Sequence, residues 1–162
     1  TFELIQLMLL DGVMAAITAI GFAIGSNPSR KAILVSALLA AFGHGLRYVL
    51  MQYGMEISIS TFVVASLIGL LSILFARIIH CPAEVFSFPS LLPMIPGLFA
   101  YRTIMSLIKF VQNTDAVRNQ GFIMDFFHNG MTTLFVLLAL VIGVTLPVLL
   151  FPKTSFSVTR RY

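Results

Sequence analysis

Long apolar runs separated by short polar stretches dominate the chain. The first run covers residues 4–25, contains one charged residue, Asp11, and ends at the helix-stopping cluster Ser26-Asn27-Pro28. The second covers residues 33–53, and the third, residues 57–76, carries no charge at all. A helix needs about 20 predominantly apolar residues to cross the hydrocarbon core of a bilayer. Each of these three runs therefore predicts a membrane-spanning helix.

The fourth run, residues 90–112, has a start that is rich in helix breakers. Four such residues lie within nine positions: Pro89, Pro93, Pro96 and Gly97. An interior proline removes a backbone donor and clashes with the carbonyl four residues earlier. In a bilayer, an interrupted backbone persists only against protein or beside a water-filled cavity. We therefore predict a fourth span that is broken by proline and glycine and becomes regular from Leu98.

The last third of the chain contains a polar stretch and one more apolar run. Residues 113–128 are mixed in character and predict a loop with an interfacial piece at 122–127, whereas residues 129–151 contain no ionisable side chain and predict a fifth span. The apolar runs are continuous rather than alternating, which does not fit a transmembrane strand barrel. The predicted fold is an all-α polytopic membrane protein whose five helices form a single transmembrane domain over residues 1–162.

Composition supports this assignment. Of the 162 residues, 59% are hydrophobic and only 10% are charged, whereas soluble domains carry about 25% charged residues. The net charge of +4 comes from basic residues at the ends of apolar runs, so it indicates membrane orientation rather than nucleic-acid binding. The chain opens without the features of a secretory signal peptide, and we expect its first segment to remain in the mature protein.

The distribution of basic residues predicts the orientation in the membrane. Loops and tail on one side hold six Lys or Arg residues, against two on the other; the six are Arg30, Lys31, Arg77, Lys153, Arg160 and Arg161, and the two are Lys109 and Arg118. Basic residues are enriched in cytoplasmic loops. The N-terminus is therefore predicted outside and the C-terminus in the cytoplasm.

Asp11, His44 and Arg47 lie inside predicted spans, where a charged group costs about 2.5 to 3.5 kcal/mol on insertion scales. By residue count, Asp11 is about 10 Å and Arg47 about 9 Å from the outer membrane surface. The first two helices are antiparallel neighbours, so an Asp11–Arg47 ion pair is geometrically available. It would either fix the register of the two helices or form part of a substrate or proton site.

His44 lies one helical turn from Arg47, between Gly43 and Gly45. Histidine titrates near neutrality, which suits proton coupling, and the flanking glycines let another backbone approach closely. The alternative is a neutral imidazole that bonds a neighbouring helix.

Arg102, next to Tyr101, is a further candidate, because its guanidinium can bind a carboxylate. It can equally reach lipid headgroups, and Tyr101 can be a packing residue. The three histidines, His44, His80 and His128, have no metal-ligand spacing. No catalytic signature is present either, so we predict neither enzyme activity nor a metal or cofactor. A lipid-phosphate enzyme using His44 and Arg47 would lack a nucleophile.

Several motifs resemble a known family. They are Gly43-His44-Gly45-x-Arg47, the segment Pro82-x-x-Val85-Phe86-x-x-Pro89-x-x-x-Pro93-Met94-x-Pro96-Gly97-x-x-x-Tyr101, the Asp11 region with Gly21-Phe22-Ala23, and Asn27-Pro28-x-Arg30. In order and spacing, this set resembles the small subunit of the split threonine/serine exporters over roughly residues 8–112. The proline-glycine segment is the most specific part of the likeness.

The resemblance implies a secondary transporter of the bacterial inner membrane that exports small amino acids, driven by the proton gradient. As an alternative substrate class, the resemblance implies small dicarboxylates such as succinate. In this family about ten helices come from one fused chain or from two chains, so the resemblance also implies a larger partner subunit. That partner would supply about five further helices and a cytoplasmic N-terminal region.

The residue patterns and the resemblance together suggest where a substrate binds. Five spans that start outside are half of an inverted repeat, and such transporters bind substrate at broken helices near the midplane. We expect the backbone at residues 93–97 to offer amides to the carboxylate of a small solute. The predicted substrate-binding residues are Pro93, Met94, Pro96, Gly97, Tyr101 and Arg102, and Asp11, His44 and Arg47 are predicted to couple protons or form an ion pair. The alternative is a structural or channel-forming subunit that does not transport by itself.

Overall fold

The computed structural model describes residues 2–151, and all of the regular secondary structure in this range is helical. The elements are α1 (Phe2–Gly25), α2 (Arg30–Gln52), α3 (Ile57–Ile79), α4 (Glu84–Leu91), a 3₁₀ turn (Leu92–Met94), α5 (Gly97–Gln112) and α6 (Ala116–Leu150). Among them, α1, α2, α3 and α6 are long and apolar enough to cross a membrane. The segments Glu84–Met94 and Gly97–Gln112 are bent at the break between them and would together make a fifth span. The predicted class, an all-α polytopic membrane protein, is confirmed.

Local capping explains where α2 and α3 begin and end. Ser29 caps α2 by accepting a hydrogen bond from the amide of Ala32, at 3.4 Å, so α2 begins three residues before the predicted position. The Glu56 carboxylate caps α3 through the amides of Ser58, at 2.9 Å, and Ile59, at 3.3 Å, where negative charge favours a helix N-terminus. His80 ends α3 in the left-handed conformation, with φ 59°.

The predicted loop over residues 113–128 is wrong, because α6 begins at Ala116 and continues for 35 residues. Only three residues separate it from α5. The Asn113 side chain bonds both the Asp115 carbonyl, at 3.1 Å, and Asn119 Oδ1, at 3.0 Å. Asp115 then accepts from the Val117 amide at 3.0 Å. This capped turn starts a helix through a stretch that is polar but contains no proline.

The described residues form two compact units, which meet in sequence between Met94 and Ile95 and again between Leu138 and Ala139. In the unit that contains α1 to α4, α2 packs against α1, α3 and α4. Small residues at Ala15, Ala19 and Ala40 form a buried cluster in this unit. A larger buried cluster includes Leu39 and Phe86. In small-residue interfaces of this kind, membrane helices approach closely enough to gain van der Waals contact.

The second unit consists of α5 and the N-terminal part of α6, joined by the capped turn. A Cβ atom at Gly130 of α6 would lie 3.3 Å from Cγ2 of Thr103 on α5, so the two helices touch at this level. The prediction of a single transmembrane domain stays a prediction. The same is true of the orientation, since Lys153, Arg160 and Arg161 lie outside the described residues.

Two glycines bring α3 and the C-terminal part of α6 into backbone contact. A Cβ at Gly143 would lie 2.8 Å from the Ala65 Cβ and 2.9 Å from the Phe62 carbonyl oxygen, and one at Gly69 would lie 2.9 Å from the Val144 carbonyl oxygen. These distances are too short for real atoms, and backbone has little freedom to move away. The contact therefore requires glycine at both positions.

We expect Gly143→Ala to destabilise the protein by about 1 to 3 kcal/mol, because overpacking forces the two helices apart. A thermal melt of the detergent-solubilised protein, followed by size-exclusion chromatography, measures the loss. Gly21→Ala is the matched control, since a Cβ there meets no atom within 4 Å. Equal melting temperatures for the two variants would contradict the α3–α6 contact.

Candidate functional site

Asp11 of α1 and His44 of α2 form a direct side-chain contact within the first unit. The distance between Asp11 Oδ2 and His44 Nδ1 is 2.9 Å. The helices come close at this level because Gly12 has no Cβ atom. A Cβ there would lie only 3.1 Å from the Ala41 carbonyl oxygen. Glycine at position 12 thus lets α1 approach α2, and the carboxylate on the preceding residue reaches the imidazole.

The two partners differ in their access to the surroundings. The His44 side chain is 10% exposed, whereas that of Asp11 is 43% exposed. A carboxylate accepts hydrogen bonds, so His44 Nδ1 carries the hydrogen of this bond when the ring is neutral. His44 Nε2 is then left as a basic nitrogen, and it is buried without a hydrogen-bond partner among the described residues. A buried polar atom without a partner is unusual in native structures and indicates a functional role or a missing partner.

Arg47 lies one turn further along α2 and contacts a different segment. Its Nη1 donates a hydrogen bond to the carbonyl oxygen of Met94, at 3.1 Å, and its side chain is half-buried. Met94, the last residue of the 3₁₀ turn, is 1% exposed. A Cβ at Gly43 would lie 2.7 Å from the end of the Met94 side chain, so the glycine leaves room for it. One face of α2 therefore holds both the imidazole contact to α1 and the guanidinium contact to the turn.

The available Asp11–Arg47 pair is not formed as a direct contact, because Asp11 bonds His44 and Arg47 bonds Met94. Counting residues from the helix ends gives the depth of Asp11 only to within about one helical turn. Because His44 and Arg47 lie on one face of α2 a single turn apart, residue counting could not decide which of them pairs with Asp11.

The chain is sharply turned between Met94 and α5. The Gly97 amide donates to the Ile95 carbonyl at 2.8 Å, and Pro96 between them has φ −79° and ψ 61°, which are the angles of an inverse γ-turn. Among residues 2–151, no side chain caps the start of α5. The first-turn amides of Leu98 and Phe99 therefore remain for another partner.

The second unit contains a cleft of about 450 Å³ between α5 and α6. Among its lining residues are Tyr101 and Arg102, which the sequence analysis selected. It also contains five polar residues that sequence reasoning did not select: Ser106, Lys109, Asp125, His128 and Asn129. Residues 102, 106 and 109 share one face of α5, and residues 125 and 129 share one face of α6. That pattern would have revealed the cleft if residues 113–128 had been predicted as helix.

The predicted substrate-binding residues therefore fall into separate places. Met94 lies beside Arg47 in the first unit, Pro96 and Gly97 form the turn before α5, and Tyr101 and Arg102 line the cleft of the second unit. Pro93 lies in the 3₁₀ turn with Met94. Within the described range, no group of three or more His, Cys, Asp or Glu residues could hold a metal ion.

A double-mutant cycle can test which side chain pairs with Asp11. We expect the Asp11→Ala and His44→Ala cycle to give a coupling energy of about 0.6 to 1.7 kcal/mol, the range of interhelical hydrogen bonds in membranes. The Asp11→Ala and Arg47→Ala cycle should give less. Thermal or denaturant unfolding of the solubilised protein supplies the four stabilities of each cycle. A larger coupling to Arg47 than to His44 would contradict the geometry.

Comparison with known proteins adds one finding to this geometry. A family model described as "Threonine/Serine exporter, ThrE" matches residues 11–150 of the chain. The match begins at Asp11 itself and covers His44, Arg47, the proline segment and the whole cleft. No solved structure matches the chain.

Proposed function

The chain belongs to the ThrE family of threonine/serine exporters, and on that premise we propose that it is a membrane subunit of a proton-coupled secondary transporter. In this proposal it exports small amino acids of the threonine and serine type, together with a larger partner subunit. It lies in the bacterial inner membrane with its N-terminus outside and its C-terminus in the cytoplasm. The carrying observation is the direct contact between Asp11 and the buried imidazole of His44.

The free nitrogen of His44 supports the proton-coupling part of the proposal. Nε2 is buried and has no partner in the described chain, while the carboxylate that would neutralise an imidazolium lies 2.9 Å from the other ring nitrogen. Proton uptake at Nε2 would convert a neutral ring beside a carboxylate into an ion pair, without leaving an unpaired charge inside the membrane. Ionisable residues within membrane spans often form proton relays of this kind.

Arg47 supports a link between that proton and the broken helix. It lies one turn from His44, whose ring bonds Asp11, and it donates to the Met94 carbonyl. Protonation of His44 would give Asp11 a positively charged partner, and Arg47 would keep its hydrogen bond to the Met94 carbonyl. Loss of that proton would strengthen the electrostatic attraction between Asp11 and Arg47. The turn before α5 would thus be held or released according to the protonation of His44.

The number of spans supports the need for a partner. The described chain contains four membrane-crossing helices, or five with the broken pair. An odd number of spans places the two termini on opposite sides, and a second set in the opposite orientation would complete an inverted repeat. Carriers of this kind move solute between two such halves. We therefore expect transport only when the chain is combined with its partner subunit.

The same contacts also fit a structural subunit, in which the Asp11–His44 and Arg47–Met94 bonds merely hold α1, α2 and the 3₁₀ turn in register. Counterflow in proteoliposomes that contain the two-chain complex distinguishes a transporter subunit from a structural subunit. Saturable exchange that depends on a proton gradient supports the transporter. Flux that does not saturate would support a channel, and export of succinate rather than threonine would assign the complex to dicarboxylates.

We predict that His44→Gln abolishes uphill export driven by a pH gradient but retains threonine counterflow, which needs no net proton movement. Glutamine can still donate a hydrogen bond to Asp11 but has no titratable nitrogen. The measurement compares labelled-threonine efflux under a pH gradient with exchange at equal pH. Thr18→Val on α1, which removes only a bond to the Met14 carbonyl of its own helix, is the control. Intact gradient-driven export by His44→Gln would rule out His44 as the proton carrier.

We also predict that Gly97→Leu abolishes export while membrane insertion and expression stay normal. The substitution would crowd the first-turn amides of α5, to which the proposal assigns the solute carboxylate. A Cβ at Gly97 meets no atom of the described residues within 4 Å, so the first carbon of the new side chain makes no internal clash there. Gly21→Leu is equally free of neighbours and should export normally. Normal export by Gly97→Leu would refute this placement of the substrate.

A further inference from the structure

The cleft between α5 and α6 carries side chains of both charges that do not neutralise each other. Arg102 and Lys109 project from α5, and Asp125 and His128 from α6. We propose that the cleft binds a zwitterionic amino acid, with Arg102 on the carboxylate and Asp125 on the ammonium. The proposal rests on the exporter function proposed above and adds a second site for the same solute, distinct from the amides at the start of α5, together with the residue that selects for the amino group.

The absence of internal pairing is the first argument. Among the described side chains, the ion pairs within 4.0 Å are Asp11–His44 and Arg118–Asp115. The second of these belongs to the same unit as the cleft and joins Asp115, the residue before α6, to the first turn of that helix, with a separation of 3.8 Å. Asp125 has cations on the facing helix and yet makes no such pair. A charged group that lines a cleft without a protein partner is available to a ligand.

Depth along the helices is the second argument. Arg102 lies ten residues before Gln112, the end of α5, which corresponds to about 15 Å along the helix. Asp125 lies nine residues after the start of α6 at Ala116, or about 14 Å. Both groups are therefore well removed from the polar turn at residues 113–115. Arg102 also lies inside the predicted fourth span, residues 90–112, where a charge needs a counter-charge or water.

The mixture of charges decides the class of ligand. Arginine presents a planar fork of donors that matches a carboxylate, and a carboxylate such as that of Asp125 suits an ammonium group. A dicarboxylate would gain from Arg102 and Lys109 but would be repelled by Asp125. Such a repulsive element is an effective way to exclude a competing ligand. The cleft thus favours an α-amino acid over succinate.

Two neutral polar groups complete the site. Ser106 and Asn129 are both 7% exposed and line the cleft. The side-chain nitrogen of Asn129 donates to the backbone carbonyl oxygen of Asp125 at 2.7 Å. The side-chain oxygen of Asn129 is therefore left as an acceptor for a substrate hydroxyl. The cleft volume of about 450 Å³ lies within the range of small-molecule sites, about 300 to 1,000 Å³.

The test uses the full chain with its partner subunit in proteoliposomes and L-threonine as the labelled probe. Competitors are unlabelled L-threonine, 3-hydroxybutanoate, which lacks the amino group, and succinate. We expect Arg102→Gln and Asp125→Asn each to weaken the affinity for threonine by at least about tenfold, since hydrogen bonds to charged groups contribute about 1.5 to 3 kcal/mol. Asp125→Asn should also reduce the preference for threonine over 3-hydroxybutanoate and succinate, whereas Arg102→Gln should weaken all three.

Matched controls come from the exposed pair on the same unit. Asp115→Asn and Arg118→Gln change the same charges outside the cleft and should leave threonine affinity unchanged. All variants are compared only if they elute as the wild-type complex does. Wild-type affinity and selectivity in both cleft variants would overturn the site while leaving the exporter function in place. Reduced recovery of the partner subunit with unchanged affinity would also overturn it, in favour of an intersubunit ion pair. A wild-type complex that transports none of the three solutes would instead overturn the proposed function itself.

Discussion

Lipid offers no hydrogen-bond partners, so His44 and Arg47 must find theirs within protein. Both lie on one face of α2, and what each one bonds determines how the neighbouring segments are placed. His44 fixes α1 through Asp11, at 2.9 Å, and Arg47 fixes the 3₁₀ turn through the Met94 carbonyl, at 3.1 Å. The glycines around them serve the same contacts, since Gly12 allows α1 to approach and Gly43 makes room for the Met94 side chain. The small residues between α1 and α2 thus let the two helices lie close enough for the Asp11–His44 contact, which could not form at a wider separation.

The same constraint explains why the proline segment can be broken at all. In a continuous helix the Met94 carbonyl would accept from the amide of Leu98, four residues later. An inverse γ-turn at residues 95–97 stands where that helix would continue. Arg47 supplies a donor to the Met94 carbonyl in place of a helical amide. One arginine on α2 therefore compensates for the hydrogen bond that the break removes from this carbonyl.

Sequence reasoning located the apolar spans well because their length and hydrophobicity decide the structure almost alone. It located the break for a comparable reason, since two prolines three residues apart, at 93 and 96, remove two backbone donors from the same stretch, whereas the single prolines Pro89 and Pro147 lie inside α4 and α6. It failed at residues 113–128, where polar composition was taken as a loop although no breaker is present. What makes that stretch helical is the hydrogen-bonded turn at Asn113 and Asp115, which composition does not indicate. The partner of Asp11 was also out of reach, because residue counting cannot distinguish two side chains one turn apart. The cleft was missed as a direct consequence of the missed helix.

The family assignment and the two proposals meet at the short segment between Met94 and Gly97. In the proposed proton-coupled carrier, proton binding must alter the path of the solute, and such coupling requires that both events bias one element with two arrangements. Arg47 lies one turn from His44 on α2 and bonds the last residue before the break, while the first residues after the break begin the helix that carries Arg102. Only Ile95 and Pro96 lie between the two elements. If Arg47 shifted from the Met94 carbonyl toward Asp11, that carbonyl would lose its hydrogen bond. Because an unpaired buried carbonyl is unfavourable, the turn would move to give it another partner. The proposed coupling would therefore need no long pathway through the core, because only Ile95 and Pro96 separate the residue that Arg47 bonds from the start of α5.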